Sequence, residues 1–146
     1  MKVEAYIHNV KFYETDKMNI THHSNYVRWM EEARINFMEK VGCDYRELEK
    51  VGISSPVVSV KCDFIKTTTF GDDVYIYVSV KKFNGVRFWV SYEMKCNNEI
   101  VLTAESQHCF VKDNMQIINL KKEVPDYYNR LADASKSCDT KKVDSD

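Results

Sequence analysis

The feature that most constrains this chain is one strongly apolar helix, predicted between a first strand and a long run of later strands. Its apolar side chains recur at steps of three and four residues, so they share one helical face. Val27 and Met38 widen that face, which indicates burial over much of the circumference. Ser24 or Asn25 is expected to cap the helix, and Gly42 to stop it. The apolar positions are Tyr26, Trp29, Met30, Ala33, Phe37 and Val41.

The segments around this helix carry strand patterns. Residues 2–14 alternate apolar and polar side chains with one slip of phase, which predicts a strand with a bulge. Asn84-Gly85 and Asn97-Asn98 are hairpin turn signals between the later strands. Those strands are predicted over residues 57–66, 74–83, 86–96 and 100–112, with a short one over 116–120.

Two further helices are predicted from their start signals. Asp44 and Glu47 have the spacing of a capping box, which favours a short helix over residues 45–50. Pro125 is suited to the first turn of a last helix, predicted over residues 125–133.

The order of elements, β-α-β-β-β-β, indicates the fold. A helix this apolar needs a sheet curved around it, and that is the hotdog fold, an α+β domain. Its antiparallel sheet of five to six strands wraps one long buried helix. Residues 1–133 are expected to form this single domain, and residues 134–146, which lack a core pattern, a mobile tail. Because the sheet leaves an edge exposed, dimerisation is expected.

Charge and composition exclude several classes of protein. The formal net charge is -1, so no strong field draws the chain to nucleic acid. No apolar run has the length of a signal peptide or approaches the ~20 residues of a membrane helix, so we expect a cytoplasmic protein. The cysteines are odd in number, widely spaced and without a CxxC pair, which argues against a disulfide framework or a structural zinc site. We expect reduced thiols at Cys43, Cys62, Cys96, Cys109 and Cys138.

The residues best suited to chemistry lie in the polar loop predicted over residues 15–23. Asp16 precedes the buried helix, whose N-terminal N–H groups and dipole favour negative charge. His22 and His23 follow just before the helix, and an Asp with a His beside N–H donors suits acyl transfer. Taken alone, an Asp at such a place is more often a helix cap or a solvated charge.

The motifs around Asp16 resemble those of one enzyme family. Residues 15–19 (Thr-Asp-Lys-Met-Asn), 23–26 (His-Ser-Asn-Tyr) and 31–34 (Glu-Glu-Ala-Arg) resemble the signature of the 4-hydroxybenzoyl-CoA thioesterase-like branch of the hotdog superfamily. Residues 52–58 and 70–74 resemble its segments leading into the second and third strands. The likeness covers most of the chain, and the combined motif is far more specific than any of its parts.

The resemblance implies roles position by position. Asp16 matches the family's catalytic carboxylate, which acts on the thioester carbonyl as a nucleophile or on water as a general base. His23 matches a pocket position that places substrate or water, or transfers a proton. A backbone N–H from the loop entering the second strand polarises the carbonyl in this family. The positions implied for substrate positioning and for that N–H are Asn25, Tyr26, Ser54 and Ser55.

Two departures from the family pattern matter. Asn19 stands where the family's loop has Gly, and Asn tolerates a left-handed backbone better than most residues. Some relatives place consecutive basic residues for the CoA phosphates where this chain reads Phe-Asn-Gly-Val-Arg over residues 83–87. The nearby candidates for phosphate contacts are Lys66, Lys81, Lys82 and Arg87. No metal or other cofactor is expected, because a carboxylate with N–H donors suffices and coenzyme A is part of the substrate.

The sequence thus predicts hydrolysis of a small acyl thioester to a free acid and a thiol. The substrate would be a short-chain or aromatic acyl-CoA, or an acyl carrier protein thioester. The pocket would form between subunits of a homodimer, or of a dimer of dimers. Binding without catalysis is a second function, which Asp16 and His23 argue against, and a hydratase or dehydratase lacks its motif here. Glu31 and Glu32 are second choices for the catalytic acid.

Overall fold

One buried helix forms the centre of the fold in the computed structural model, which describes residues 3–144 and the side chains of residues 3–136. Helix α1 spans Ser24–Lys40. Trp29 and Met30 are each 1% exposed, and the rest of the predicted stripe up to Phe37 is also buried. Val27 is the exception, since 42% of its surface is exposed. The prediction of a deeply buried central helix is therefore confirmed.

The main sheet is antiparallel and packs its inner face against the same hydrophobic core as α1. Its strand order is β1-β4-β5-β6-β3, so β1 and β3 are the edges. Side chains alternate along β5, where Phe88, Val90 and Met94 are 0% exposed and their neighbours are half-buried. The strands are β1 (Tyr6–Asn9), β3 (Val57–Phe64), β4 (Asp73–Phe83), β5 (Arg87–Cys96) and β6 (Glu99–Cys109).

The hairpin turns lie where the sequence predicts them. Asn97 and Asn98 have φ angles of 53° and 63°, the left-handed pair of a tight two-residue turn between β5 and β6. Gly85, with φ of 90°, makes the turn between β4 and β5. A Cβ there would clash with the Asn119 side chain, so this turn requires glycine.

Short elements complete the domain around the main sheet. A second sheet has the order β2-β7-β8. No helix among the described residues is long and apolar enough to cross a membrane. These elements are β2 (Ile53–Ser54), β7 (Val111–Lys112), β8 (Gln116–Ile117), α2 (Tyr45–Lys50), α3 (Leu120–Glu123) and α4 (Pro125–Asp144).

Several predicted boundaries are wrong. The strand predicted over residues 2–14 is β1 followed by a 3-10 turn at Phe12–Glu14, and the phase slip marks where the strand ends. The strand predicted over residues 100–112 divides after Cys109, because β7 joins the second sheet. The last helix continues to Asp144, so the predicted tail is helical up to that residue, and residues 145–146 lie outside the described ones.

Two predicted caps also differ from the structure. Helix α1 follows His23 at its N-cap position without a side-chain hydrogen bond, so neither Ser24 nor Asn25 caps it. Asp44 does cap α2 by accepting from the Arg46 N–H, but the Glu47 carboxylate instead pairs with Arg130 at 2.7 Å. Among the described side chains, the free thiols are Cys43, Cys62, Cys96 and Cys109.

Candidate active site

The Asp16 loop is a tight turn that presents one carboxylate oxygen. The Asp16 N–H donates to Ile20 O at 2.9 Å, and the Asn19 N–H donates to Asp16 O at 2.9 Å. Asn19 has φ of 63°, so it takes the left-handed conformation expected of it in place of Gly. Asp16 Oδ1 accepts the Met18 N–H at 2.8 Å, which fixes the side chain. Its Oδ2 makes no hydrogen bond within the described part of the chain, so this oxygen can accept one from another molecule.

A buried carboxylate, Glu14, anchors this loop to the core. Glu14 Oε2 accepts the Trp29 indole N–H at 2.7 Å, and Oε1 accepts the Lys11 N–H at 2.8 Å. His8 Nε2 lies 2.8 Å from the same Oε1. Burial raises the pKa of Glu14, but the hydrogen bonds from Lys11, His8 and Trp29 outweigh burial and hold this pKa below its usual value. An ionised Glu14 therefore ties β1, the loop and α1 together.

The start of α1 is held by one buried polar side chain, Asn25, and by exposed polar contacts before it. Asn25 Nδ2 donates to Glu14 O at 2.9 Å, and the Ser24 N–H lies 3.3 Å from His22 Nδ1. The exposed His22 and His23 rings stack with centroids 4.3 Å apart. Asn25 therefore fixes the loop behind Asp16, while His23 remains exposed to solvent.

The loop that follows β3 braces the Asp16 loop from the other side. Thr68 Oγ1 lies 2.6 Å from Thr21 Oγ1 and 2.9 Å from the Tyr26 hydroxyl. Thr69 Oγ1 donates to Asn19 O at 2.6 Å. Tyr26 and Thr68 are only 4% and 2% exposed, so the Tyr26 hydroxyl positions the loop and does not face solvent.

The two ends of β3 are far apart in one chain. At the Phe64 end, the Phe64 ring lies 6.4 Å from the His23 ring and 5.6 Å from the Tyr26 ring. Ser54 and Ser55 immediately precede the Val57 end. A strand of this length spans about 23 Å, at roughly 3.3 Å per residue. One chain therefore does not bring Ser54 or Ser55 to Asp16.

The four basic candidates also fail to form one cluster. Lys66 pairs with Glu99 near the Phe64 end, whereas Lys81 pairs with Glu105 on the other half of the sheet. Lys82 Nζ lies 5.0 Å from the centroid of the Trp89 ring. Arg87 begins β5 and pairs with Cys109, at the same end of the sheet as Val57.

Sequence reasoning missed Glu14, His8 and Thr68. Glu14 was predicted to be part of a strand. The available signal was its position, since it is an acid near the phase slip and just before the loop. His8 belongs to the same predicted strand, and its Nδ1 also lies 3.4 Å from Glu32 Oε2. Nothing local distinguishes Thr68 from Thr67 or Thr69, since its position becomes visible only when two loops meet.

Comparison with known proteins gives one consistent result. Residues 10–134 match the family model of the thioesterase-like superfamily. The Bacillus subtilis protein named "Putative acyl-CoA thioesterase YneP" is 30% identical over 129 residues, 87% of this chain and 94% of that protein. An Aquifex aeolicus protein named "Putative esterase" is 35% identical over 120 residues, 82% of this chain and 92% of that protein.

Solved structures agree with this sequence match. The crystal structure of the DHNA-CoA thioesterase from Staphylococcus aureus superimposes with a TM-score of 0.86 at 28% identity, covering 89% of each chain. The structure of BH1999 gentisyl-coenzyme A thioesterase superimposes with a TM-score of 0.76 at 24% identity, covering 84% of this chain and 99% of that one. The hotdog fold expected from the sequence is confirmed.

Proposed function

Because the chain belongs to the thioesterase-like superfamily and is a thioester hydrolase, we propose that it hydrolyses a small acyl-CoA with Asp16 as the reacting carboxylate. The family expected from the motifs around Asp16 is confirmed. The observation that supports Asp16 is its geometry, since Oδ1 is held by the Met18 N–H while Oδ2 is left for a substrate. A carboxylate fixed in this way loses little freedom when it reacts.

Two routes use the same Asp16 oxygen. In the first, Oδ2 attacks the thioester carbonyl, the thiolate leaves, and water then cleaves the mixed anhydride. In the second, Oδ2 takes a proton from water as the water attacks the carbonyl, and the C–S bond then breaks to release the thiolate. A single turnover in ¹⁸O-labelled water separates them. If water cleaves the anhydride at the Asp16 carbonyl, the nucleophilic route gives unlabelled product acid in the first turnover, and the general-base route gives labelled acid.

The oxyanion donor of the proposed site would come from a second copy of the chain. Strand β3 is an edge of the sheet and is exposed along nearly its whole length. Val57, Val60 and Phe64 are 52%, 40% and 53% exposed, which favours pairing with another chain. Antiparallel pairing of two β3 strands about a two-fold axis would place the Val57 end of one copy against the Phe64 end of the other. Ser54 or Ser55 would then reach Asp16, with a backbone N–H worth about 3–4 kcal/mol in the barrier.

The names of relatives support an acyl-CoA substrate and include aromatic acyl groups. The Staphylococcus aureus relative is named for DHNA-CoA, and a Prochlorococcus marinus relative of 25% identity is named 1,4-dihydroxy-2-naphthoyl-CoA hydrolase. Lys82 and Arg87 are the preferred contacts for the CoA phosphates, because neither forms an ion pair within the described residues. We propose no cofactor beyond the coenzyme A of the substrate itself.

The test is thiol release from a panel of short-chain and aromatic acyl-CoAs. Asp16→Asn should lower kcat by about 100-fold or more, because it removes the reacting carboxylate. Asp126→Asn, at an exposed acid in the first turn of α4, is the matched control. His23→Ala should have a smaller effect. Turnover near that of the wild type in a folded Asp16→Asn protein would disprove the assignment, and no turnover by the wild type on any thioester would disprove the function.

A further inference from the structure

Arg34 of α1 is a buried cation without a buried counter-charge. Its side chain lies in the core, with the residue 7% exposed, and Nη1 donates to the Tyr92 hydroxyl at 3.2 Å. Its other polar neighbour is the Tyr45 hydroxyl. Burial raises the pKa of both Tyr45 and Tyr92, so these phenols are neutral at physiological pH. A buried guanidinium is normally matched by a carboxylate, and none pairs with Arg34 within the described residues.

The hydrogen bonds behind Arg34 lead from one neutral side chain to the next. The Tyr92 hydroxyl lies 2.6 Å from Ser106 Oγ, which lies 2.7 Å from His108 Nε2. Arg34 donates to Tyr92, while Ser106 can donate or accept in each of its two hydrogen bonds. Burial, followed by the charge of Arg34, lowers the pKa of His108 to about 3, so this ring is neutral. The chain of hydrogen bonds therefore supplies no negative charge.

A small cavity adjoins this cation. Its volume is about 130 Å³, and it lies between α1 and β3. At about 30 Å³ per water it holds roughly four water-sized groups, enough for a short chain of atoms. Arg34 Nε is buried and unpartnered. The cavity is lined by the charged residues Arg28, Glu31 and Arg34, by Ser106, and by the apolar side chains of Val27, Met30, Val57 and Val60. Glu31 is exposed to solvent, whereas Arg34 is buried.

We propose that Arg34 binds a carboxylate at the far end of the acyl group, so that thioesters of short dicarboxylic acids are preferred substrates. This inference rests on the proposed function, because it needs the two-fold pairing of β3 strands. The cavity borders the Val57 end of β3. In the two-fold pairing that end faces Asp16 of the second copy. The thioester would lie at that Asp16, and the acyl chain would extend between the valines to the guanidinium. A guanidinium holds a carboxylate through two parallel N–H donors.

The test compares two acyl groups of nearly equal shape. Succinyl-CoA ends in a carboxylate, and 4-methylpentanoyl-CoA has an isopropyl group in its place. The wild type should favour succinyl-CoA by about 30-fold or more in kcat/KM, the usual range for a buried charge pair. Arg34→Met should remove this preference, and Arg34→Lys should retain part of it. An equal rate on both substrates, or an equal loss on both in Arg34→Met, would overturn the proposal.

Binding measurements separate the other outcomes. In calorimetry with the Asp16→Asn protein, succinyl-CoA should bind more tightly than 4-methylpentanoyl-CoA. That result would support Arg34 even if the wild type hydrolysed neither thioester, in which case only the proposed function would fail. Free succinate should inhibit the wild type more strongly than 4-methylpentanoate does, a readout that needs no variant to fold. If succinate has no such effect and Glu31→Gln weakens the dimer, Glu31 of a second copy is the counter-charge and the proposal is wrong.

Discussion

The two ends of β3 differ in how they are built. The Phe64 end carries Asp16 on a loop that is held by neighbouring residues and open to solvent on one side. The Val57 end carries Arg34 and His108, buried side chains from separate elements of the core. One end presents an anion and the other a cation. In the proposed pairing, each chain contributes its two ends to two separate sites, and a second copy supplies the rest of each.

The largest expected effect comes from blocking the pairing of two β3 strands. Without that pairing, the Val57 end of one copy no longer lies against the Phe64 end of the other. Val60→Lys would place a charge in the middle of the exposed β3 edge, a device that blocks strand pairing. If the site needs both ends, the variant should be monomeric and lose about 100-fold or more in kcat, the effect of losing an oxyanion donor. Light scattering after gel filtration and thiol release measure these two properties.

Ile117→Lys is the matched control for this variant. Ile117 is 54% exposed on β8, away from the main sheet, so it tests the effect of adding a surface lysine alone. It should keep the wild-type assembly and activity. A monomeric Val60→Lys protein with full activity would show that each Asp16 loop works by itself.

The next effect concerns the anchor of the Phe64 end. Glu14→Gln keeps the shape of the side chain but turns an acceptor of the Trp29 or Lys11 N–H into a donor. The free energy of unfolding should fall by about 3 kcal/mol, because a buried donor then faces a donor. Chemical denaturation measures this change, with the exposed Glu49→Gln as control. A change in Glu14→Gln no larger than that of the control would mean that Glu14 does not anchor the loop.

Acid should weaken the Val57 end before the Phe64 end. The pKa of His108 falls from 6.5 to about 3 on folding, so the unfolded chain binds the extra proton between these values. The contribution of neutral His108 to the free energy of unfolding is therefore fully present above pH 6.5 and is lost progressively as the pH falls below that value. Glu14 also has a lowered pKa, but from 4.5, so its contribution is lost only below that pH.

Unfolding measured at pH 7 and pH 5 tests this order. The wild type should lose about 2 kcal/mol over this interval, at about 1.4 kcal/mol per pH unit below 6.5. His108→Gln should show a flatter profile across the same interval, whatever its absolute stability. An identical slope in both proteins would mean that His108 is not the group that titrates.

The Phe64 end was more accessible to sequence analysis because its side chains are close together in the chain. Asp16, His23 and Asn25 fall within one short stretch, and the resemblance assigns each of them a role. Asn19 could be assigned a left-handed backbone because few other residues adopt it readily. The central helix was equally accessible, since its apolar period requires burial.

The Val57 end could not be predicted in this way. Arg34 and His108 meet through Tyr92 and Ser106, and no spacing in the sequence joins positions this far apart. His108 looked like one more residue of a strand pattern. Burial and partners decide the role of such side chains, and both depend on how the strands are arranged in the sheet. The same reason explains why the break of β6 after Cys109 was missed.

The smallest expected effect tests how firmly the brace holds the Asp16 loop. Thr68→Val removes a hydroxyl that contacts Thr21 and Tyr26, while the Thr21 N–H can still donate to Thr68 O at 2.8 Å. The free energy of unfolding should fall by about 1–2 kcal/mol. Thr67→Val, at the exposed neighbour, should change it by less than about 0.5 kcal/mol. Combining Thr68→Val with Tyr26→Phe should cost less than the sum of the two single changes, because both remove one shared hydrogen bond. Strict additivity in that cycle would show that the two hydroxyls act independently, and that the hydrogen bond between Tyr26 and Thr68 does not brace the loop.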